Sequence, residues 1–318
     1  MNQTLDCVVA GSCVVDVVCR PVPLREAVGE EVLHPTDPIV LCPGGITANS
    51  GITMARLGRK AGVFTAVGDD VWGGLLRSAF LDEGIDTQNL VTLPGESTST
   101  SVVLVDETGQ RSFLHHGGAH KRIDKSWYIE RLPLWRDTRW LLLGYYPLMP
   151  RLQEDLPEVF AAVRAAGCKT AMDASGDGGA MSPLDRILPE LDLYVPSLVE
   201  ARGQTGLDDP RKMIDRFRSC GASGIVGVKL GGMDGVLLSE APGRVIHIPS
   251  ARPPGPVVDS TGAGDCFLGG LITGLAGGLP LEQAGRLGAA CGAISVTAAG
   301  GATAIGGYDA VARLAGLD

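Results

Sequence analysis

Short apolar runs alternate with stretches whose apolar residues recur at helical spacing, and that rhythm predicts the fold. Residues 5–10, apolar but for Asp6, predict a buried strand. Residues 13–19 continue in β-rich types, with Val14, Val15, Val17 and Val18 flanking a lone Asp16. The Pro-rich, irregular segment 21–43 holds two short strand candidates, 31–34 and 39–41. After the turn Pro43-Gly44-Gly45, the residues Ala48, Ile52, Ala55 and Leu57 fall on a helical stripe that Gly58 stops. A strand over 62–67, a turn and cap at 68–70 and a helix over 72–83 follow, then a hairpin pairing 98–105 with 111–114. Beyond it lie strands at 140–143, 169–172, 191–195 and 224–229, with helices at 152–166 and 211–218. A hairpin about Gly235 and helices at 266–277 and 281–298 close the chain.

Strands alternating with helices of this length predict a single α/β domain over 1–318, a doubly wound, mostly parallel sheet flanked by helices. The β-only segments, about 13–42 and 98–118, cannot join that rhythm and predict a small projecting sheet built from two separate pieces of chain.

Composition narrows the class. A chain of 318 residues can bury a full core, and 45% hydrophobic with 20% charged residues is the balance of an ordinary soluble globular protein. The formal net charge of −9 argues against a nucleic-acid partner, which needs clustered Lys and Arg, but leaves room for a single nucleotide. The first residues lack a basic segment followed by an apolar one, and no apolar run approaches the roughly 20 residues of a membrane span. The eight cysteines contain no Cys-x-x-Cys pair, so buried free thiols in a reducing cytoplasm are expected. His115, His116 and His120 cluster without a matching acidic set, which makes no metal site.

The chemistry concentrates in 257–267, where an apolar run ends in Asp259-Ser260-Thr261-Gly262-Ala263-Gly264-Asp265 and enters a helix. Small residues leave backbone N–H groups uncovered there, and a helix start adds unpaired donors and a positive dipole end, so the turn suits an anion. Asp265 can accept a proton from a hydroxyl in that field, although a Gly-rich turn with Asp as helix cap accounts for the same residues. Asp16 reads either as an edge residue facing water or as a carboxylate lining a pocket for a polyhydroxylated ligand. Gly44 and Gly45 permit close approach of backbone to a ligand, and Asn49 offers one donor and one acceptor, while a simply capped helix is the other reading.

In open α/β sheets ligands lie beyond the carboxyl ends of strands. Asp16, Asp173, Lys229 to Gly232, and Asp259 to Asp265 all fall at such ends and are expected to converge. No Gly-x-x-x-x-Gly-Lys-Ser/Thr occurs, which excludes a P-loop, and the missing Gly-x-Ser-x-Gly disfavours an α/β-hydrolase. The first strand is not followed by the Gly-rich turn and helix of a dinucleotide-binding unit.

The run Asp259 to Asp265 resembles the C-terminal signature of the ribokinase-like (PfkB-type) carbohydrate kinases. Gly44-Gly45-x-x-x-Asn49 through Gly68-Asp69-Asp70-x-x-Gly73 is similar to their N-terminal signature, and Gly11-x-x-x-x-Asp16 and Lys229-Leu230-Gly231 with Gly235 also fit. The resemblance covers essentially the whole chain. It implies an ATP- and Mg²⁺-dependent phosphotransferase acting on a hydroxyl, primary by expectation, of a small sugar or sugar acid.

Residue by residue, the resemblance implies Asp265 as catalytic base and the backbone of Gly262, Ala263 and Gly264 as the anion hole. Asp16, Gly44, Gly45 and Asn49 take the positions of substrate contacts, and Lys229, Gly231 and Gly235 those of the nucleotide-binding turn. Glu200 belongs to the Mg²⁺ region, acting indirectly. Asp259 and Thr261, with Gly300 as a further candidate, match positions that in many members help hold a monovalent cation such as K⁺. The small sheet corresponds to a lid over the sugar, which in some members also forms a homodimer.

Departures mark the limits of the resemblance. The family's Asn-x-x-Glu appears here as Ser197-Leu198-Val199-Glu200. Ribokinases proper carry an acidic residue where the strand at 140–143 leads into Gly144, and a Lys where Ile46 stands, so ribose is not implied. Tyr145 and Tyr146 can stack on a ring or serve as core packing, and the three histidines can contact substrate or sit on a solvated hairpin. Two alternatives stand beside the sugar kinase: a nucleoside kinase of the same family and a non-catalytic sugar-binding sensor on the kinase fold.

Overall fold

The computed structural model describes residues 4–25, 37–108, 110–176, 178–232 and 234–317. The strand candidate at 31–34 lies outside them. Thirteen strands are present among the described residues: β1 (Leu5–Gly11), β2 (Val14–Cys19), β3 (Val40–Gly44), β4 (Ala61–Gly68), β5 (Asp86–Leu93), β6 (Ser99–Val105), β7 (Arg111–His116), β8 (Thr138–Gly144), β9 (Lys169–Asp173), β10 (Leu193–Tyr194), β11 (Ile225–Gly231), β12 (Gly235–Ala241) and β13 (Arg244–Ile248). The helices are α1 (Gly45–Arg56), α2 (Val71–Asp82), α3 (Lys125–Ile129), α4 (Leu132–Arg136), α5 (Leu156–Ala165), α6 (Met181–Ile187), α7 (Leu198–Thr205), α8 (Pro210–Ser219), α9 (Ala263–Ala276), α10 (Leu281–Ser295) and α11 (Tyr308–Ala315).

Nine strands form one sheet in the order β13-β12-β11-β10-β9-β8-β1-β4-β5. It is parallel from β5 to β11 and ends in the antiparallel pair β12 and β13. Both faces are covered, which is why β1 reads as an apolar run from Cys7 to Ala10. Alternate residues of that strand enter opposite cores: Cys7 and Val9 pack with α1, α9 and α10, whereas Val8 and Ala10 pack on the side of α5 and α8. Strand β5 had no counterpart in the sequence pattern, because as an edge strand it carries Asp86, Gln88, Asn89 and Thr92 among its few apolar residues.

The remaining four strands form a second sheet in the order β3-β2-β6-β7, with β2 and β6 parallel and the outer pairs antiparallel. Val18, Cys42, Val103 and Val105 give it a small apolar cluster of its own. Its strands come from two separate pieces of chain, on either side of α1, β4, α2 and β5.

Candidate active site

The junction of β3 and α1 is built around a carboxylate. A Cβ on Gly44 would lie 2.1 Å from Asp16 Oδ2, so the side chain on β2 occupies the space a larger residue would need. Gly45 adopts φ +75°, and a Cβ there would approach the Ser12 carbonyl to 2.6 Å. Only glycine meets both conditions. Asp16 is 8% exposed, and burial pushes its carboxyl up to about 6, against the pull of a hydrogen bond from Ser101. The charges of Asp259 and Asp265 push it in the same upward direction.

Asp265 lies in the first turn of α9, where N–H groups have no intrahelical partner. Its Oδ2 accepts from Asn49 Nδ2 at 2.8 Å and from the Tyr145 hydroxyl at 2.8 Å, and its carbonyl accepts from Ser50 Oγ at 2.8 Å. Burial raises its pKa, while the two donors and the Lys229 ammonium draw it back down. Tyr145, immediately after β8, holds φ +63° in the left-handed region, an uncommon geometry for a bulky residue, which its surroundings must enforce. Its N–H donates to the Asp173 carbonyl at 3.1 Å.

Asn49, expected at the substrate, thus commits its amide N–H to Asp265, and its Oδ1 is buried without a hydrogen-bond partner. Gly262 caps α9 at φ +74°, and a Cβ there would meet Asn49 Nδ2 at 2.6 Å. The two signature segments therefore interlock through side chains that each requires glycine to clear.

Beyond the turn, Lys229 Nζ pairs with Asp173 Oδ1 at 3.0 Å across the ends of β11 and β9. A Cβ on Gly264 would sit 3.3 Å from that ammonium, which fixes Lys229 over the glycine turn. Burial pushes the Asp173 carboxyl up, with Lys229 opposing and Glu200 and Asp265 adding to the rise. Glu200 itself closes a capping box on α7: its Oε2 accepts from Ser197 N–H at 2.6 Å, and Ser197 Oγ accepts from Glu200 N–H. Serine serves as N-cap as well as asparagine does, which accounts locally for the departure at that position.

Two cavities meet at this turn. One of about 620 Å³ is bordered by Arg111, Tyr145, Asp173, Glu200, Lys229 and Asp265. A second, more apolar, of about 500 Å³ runs past Gly231, Gly235, Val236, Pro253, Phe267 and Val296. Ser260, Ala263, Gly264 and Lys229 line both, so the glycine turn is their common wall. Asp16, Gly44 and Gly45 line neither cavity.

Thr261 lines the first cavity and shares a closed set of contacts with Asp259. Asp259 Oδ1 accepts from Thr261 N–H at 2.9 Å and Thr261 Oγ1 at 2.7 Å, and Oδ2 accepts from Gly300 N–H at 3.1 Å. Arg111, reaching over from β7, donates to both Asp259 Oδ1 and Thr261 Oγ1.

Sequence reasoning placed Asp265, Asn49, Lys229, Glu200 and the glycine turn, which the structure brings together. It noted Asp173 at a strand end without giving it a partner, and saw Tyr145 as a stacking ring. Arg111 carried no signal at all. Tyr146 is 2% exposed with its hydroxyl donating to the Gly178 carbonyl at 3.1 Å, so it lies in the core. His115, His116 and His120 each hold a hydroxyl of Ser101, Ser97 and Ser99 respectively, and burial lowers His120 to about 4. Among the described residues no three His, Cys, Asp or Glu group as a metal site, and no helix is long and apolar enough to cross a membrane.

A parallel sheet with cavities beyond its strand ends and a second sheet of four strands is the ribokinase-like α/β fold. The chain matches the Arabidopsis thaliana ribokinase solved with ribose and ATP at a TM-score of 0.83, with 23% identity over 99% of each chain. A putative ribokinase II from E. coli, solved with ATP and Mg²⁺, gives a TM-score of 0.81 at 22% identity over 98% of each chain. The chain belongs to the pfkB family of carbohydrate kinases, whose model matches residues 4–305. Among curated relatives, it is 33% identical to the aminoimidazole riboside kinase of Salmonella typhimurium, over 83% of this chain and 85% of that one. It is 32% identical to a fructokinase of Klebsiella pneumoniae, over 84% and 90%.

Proposed function

We propose that the protein transfers the γ-phosphoryl group of ATP to a hydroxyl, a primary one, of a small sugar or sugar acid. One observation carries this reading: a buried carboxylate in the first turn of a helix, one oxygen fixed by two donors, beside a side-chain-free turn. Asn49 and Tyr145 both engage Oδ2 of Asp265, so Oδ1 is the acceptor left for a hydroxyl proton. The amides of Gly262, Ala263 and Gly264 face the anion, with Lys229 adding a fixed positive charge. Phosphoryl transfer passes through a loose transition state, so catalysis consists of positioning and of neutralising the equatorial oxygens.

The apolar cavity beside Gly231 and Gly235 suits a nucleotide base, and the wall it shares with the first cavity supports phosphates lying at the turn. Asp16, ionised above about 6, is the acceptor for a second substrate hydroxyl. The sparse carboxylates Glu200 and Asp173 fit Mg²⁺ that keeps several waters and rides on the nucleotide, where it would neutralise phosphate charge. Exposed Leu41, Phe113 and Leu114 on the small sheet support its role as a lid and a homodimer contact. Eight free thiols support a cytoplasmic setting.

A riboside acceptor is the second reading, favoured by the likeness to aminoimidazole riboside kinase. Tyr146 gives it no support, being in the core, while Tyr145 lines the cavity. The test is an ATP-consumption screen with Mg²⁺ over pentoses, hexoses, keto-sugar acids and nucleosides. With the accepted substrate, Asp265→Asn lowers kcat by about 10²–10⁴-fold and leaves KM nearly unchanged. No turnover on any acceptor, or a fully active Asp265→Asn enzyme, overturns the reading and favours a sugar-binding sensor.

A further inference from the structure

The resemblance to the family assigns Asp259 and Thr261 to a monovalent cation, and the donors at that place do not fit one. Every side-chain oxygen of these two residues is already engaged. Oδ1 of Asp259 takes Thr261 N–H, Thr261 Oγ1 and Arg111 Nη1, the last at 3.3 Å, and Oδ2 takes the Gly300 amide. The Thr261 hydroxyl, which donates to Asp259, accepts from the same Arg111 nitrogen. A further cation would meet no free oxygen among these and would face a guanidinium.

We propose that Arg111 is the built-in cation of the phosphate turn, so that turnover is independent of K⁺ and Na⁺. The inference rests on the kinase reading above. The Asp259 side chain is 3% exposed and that of Arg111 26%, so the pair is screened poorly by solvent, and both partners hold Thr261, which leads directly into the chain at 262–264. Phe113, two residues on, places its ring 5.9 Å from the guanidinium and helps hold it. Arg111 is thus a positioning residue: it orders the turn from outside and touches no reacting atom.

The experiment compares wild type with Arg111→Ala in tetramethylammonium and potassium buffers of equal ionic strength, by kinetics and by thermal melting. Wild-type kcat and melting midpoint are expected to be the same in both buffers. Arg111→Ala is expected to lose about 10- to 100-fold in kcat in tetramethylammonium, the equivalent of one charge-assisted contact, and to regain part of it in potassium. A merely structural arginine would show no such rescue. Wild-type activation or stabilisation specific to K⁺ overturns the proposal, as does an Arg111→Ala protein indifferent to the cation. Should no acceptor be turned over, the kinase reading fails by itself. Melting then still decides this one, with K⁺ stabilising Arg111→Ala alone as the supporting result.

Discussion

Tyr145 and Asn49 act on Asp265 in one electrical direction. Both donate to the ionised carboxylate, so both hold it ready to accept a proton against the upward push of burial. Tyr145→Phe removes one donor, and the acid limb of the kcat profile should move to higher pH, since the base is then protonated sooner as pH falls. An unchanged limb would show that the hydroxyl does not govern the base. Asp16 is the opposite case, a carboxylate whose burial costs stability. Its carboxyl is raised from 3.8 to about 6, so the neutral form is favoured in the fold. Stability is complete below the unfolded value and is lost as pH rises through about 6. Asp16→Asn should therefore gain up to about 3 kcal/mol in urea unfolding at neutral pH, a gain that vanishes toward pH 4, while sugar affinity is lost.

At the scale of elements, the ends of β9 and β11 are held by a buried ion pair whose partners depend on each other. Lys229→Met leaves Asp173 buried and uncompensated, a loss of about 3–5 kcal/mol in unfolding free energy, and adding Asp173→Asn should recover most of it. Equal losses in the single and double variants would mean that the pair is not coupled. Elements buried on both faces, such as β1, were legible because burial leaves apolar residues in succession, here Cys7 to Ala10. The polar edge strand β5 was not, and α7 was missed although its capping box is written in Ser197 and Glu200. Glycines were legible as signatures because each is demanded by a neighbour: Gly44 by Asp16, Gly262 by Asn49. The contacts of Tyr145 with Asp265 and of Arg111 with Asp259 span 120 and 148 positions, and no local pattern records them.

For the whole molecule, that distance has a further meaning in time. Asn49 and Ser50 on α1 meet Asp265 across 216 and 215 positions, which leaves them without these partners until α9 exists. A ribosome delivers Asp265, the proposed base, only after the thirteen described strands, so a growing chain can fold much of its sheet before that carboxylate is present. Joining α1 to α9 is a non-local step and should be late. In pulse-labelled hydrogen exchange during refolding, the amides of α1 should gain protection together with those of α9, after the neighbouring strand β4. The enzyme's activity is in this sense withheld from any chain that stops short of α9.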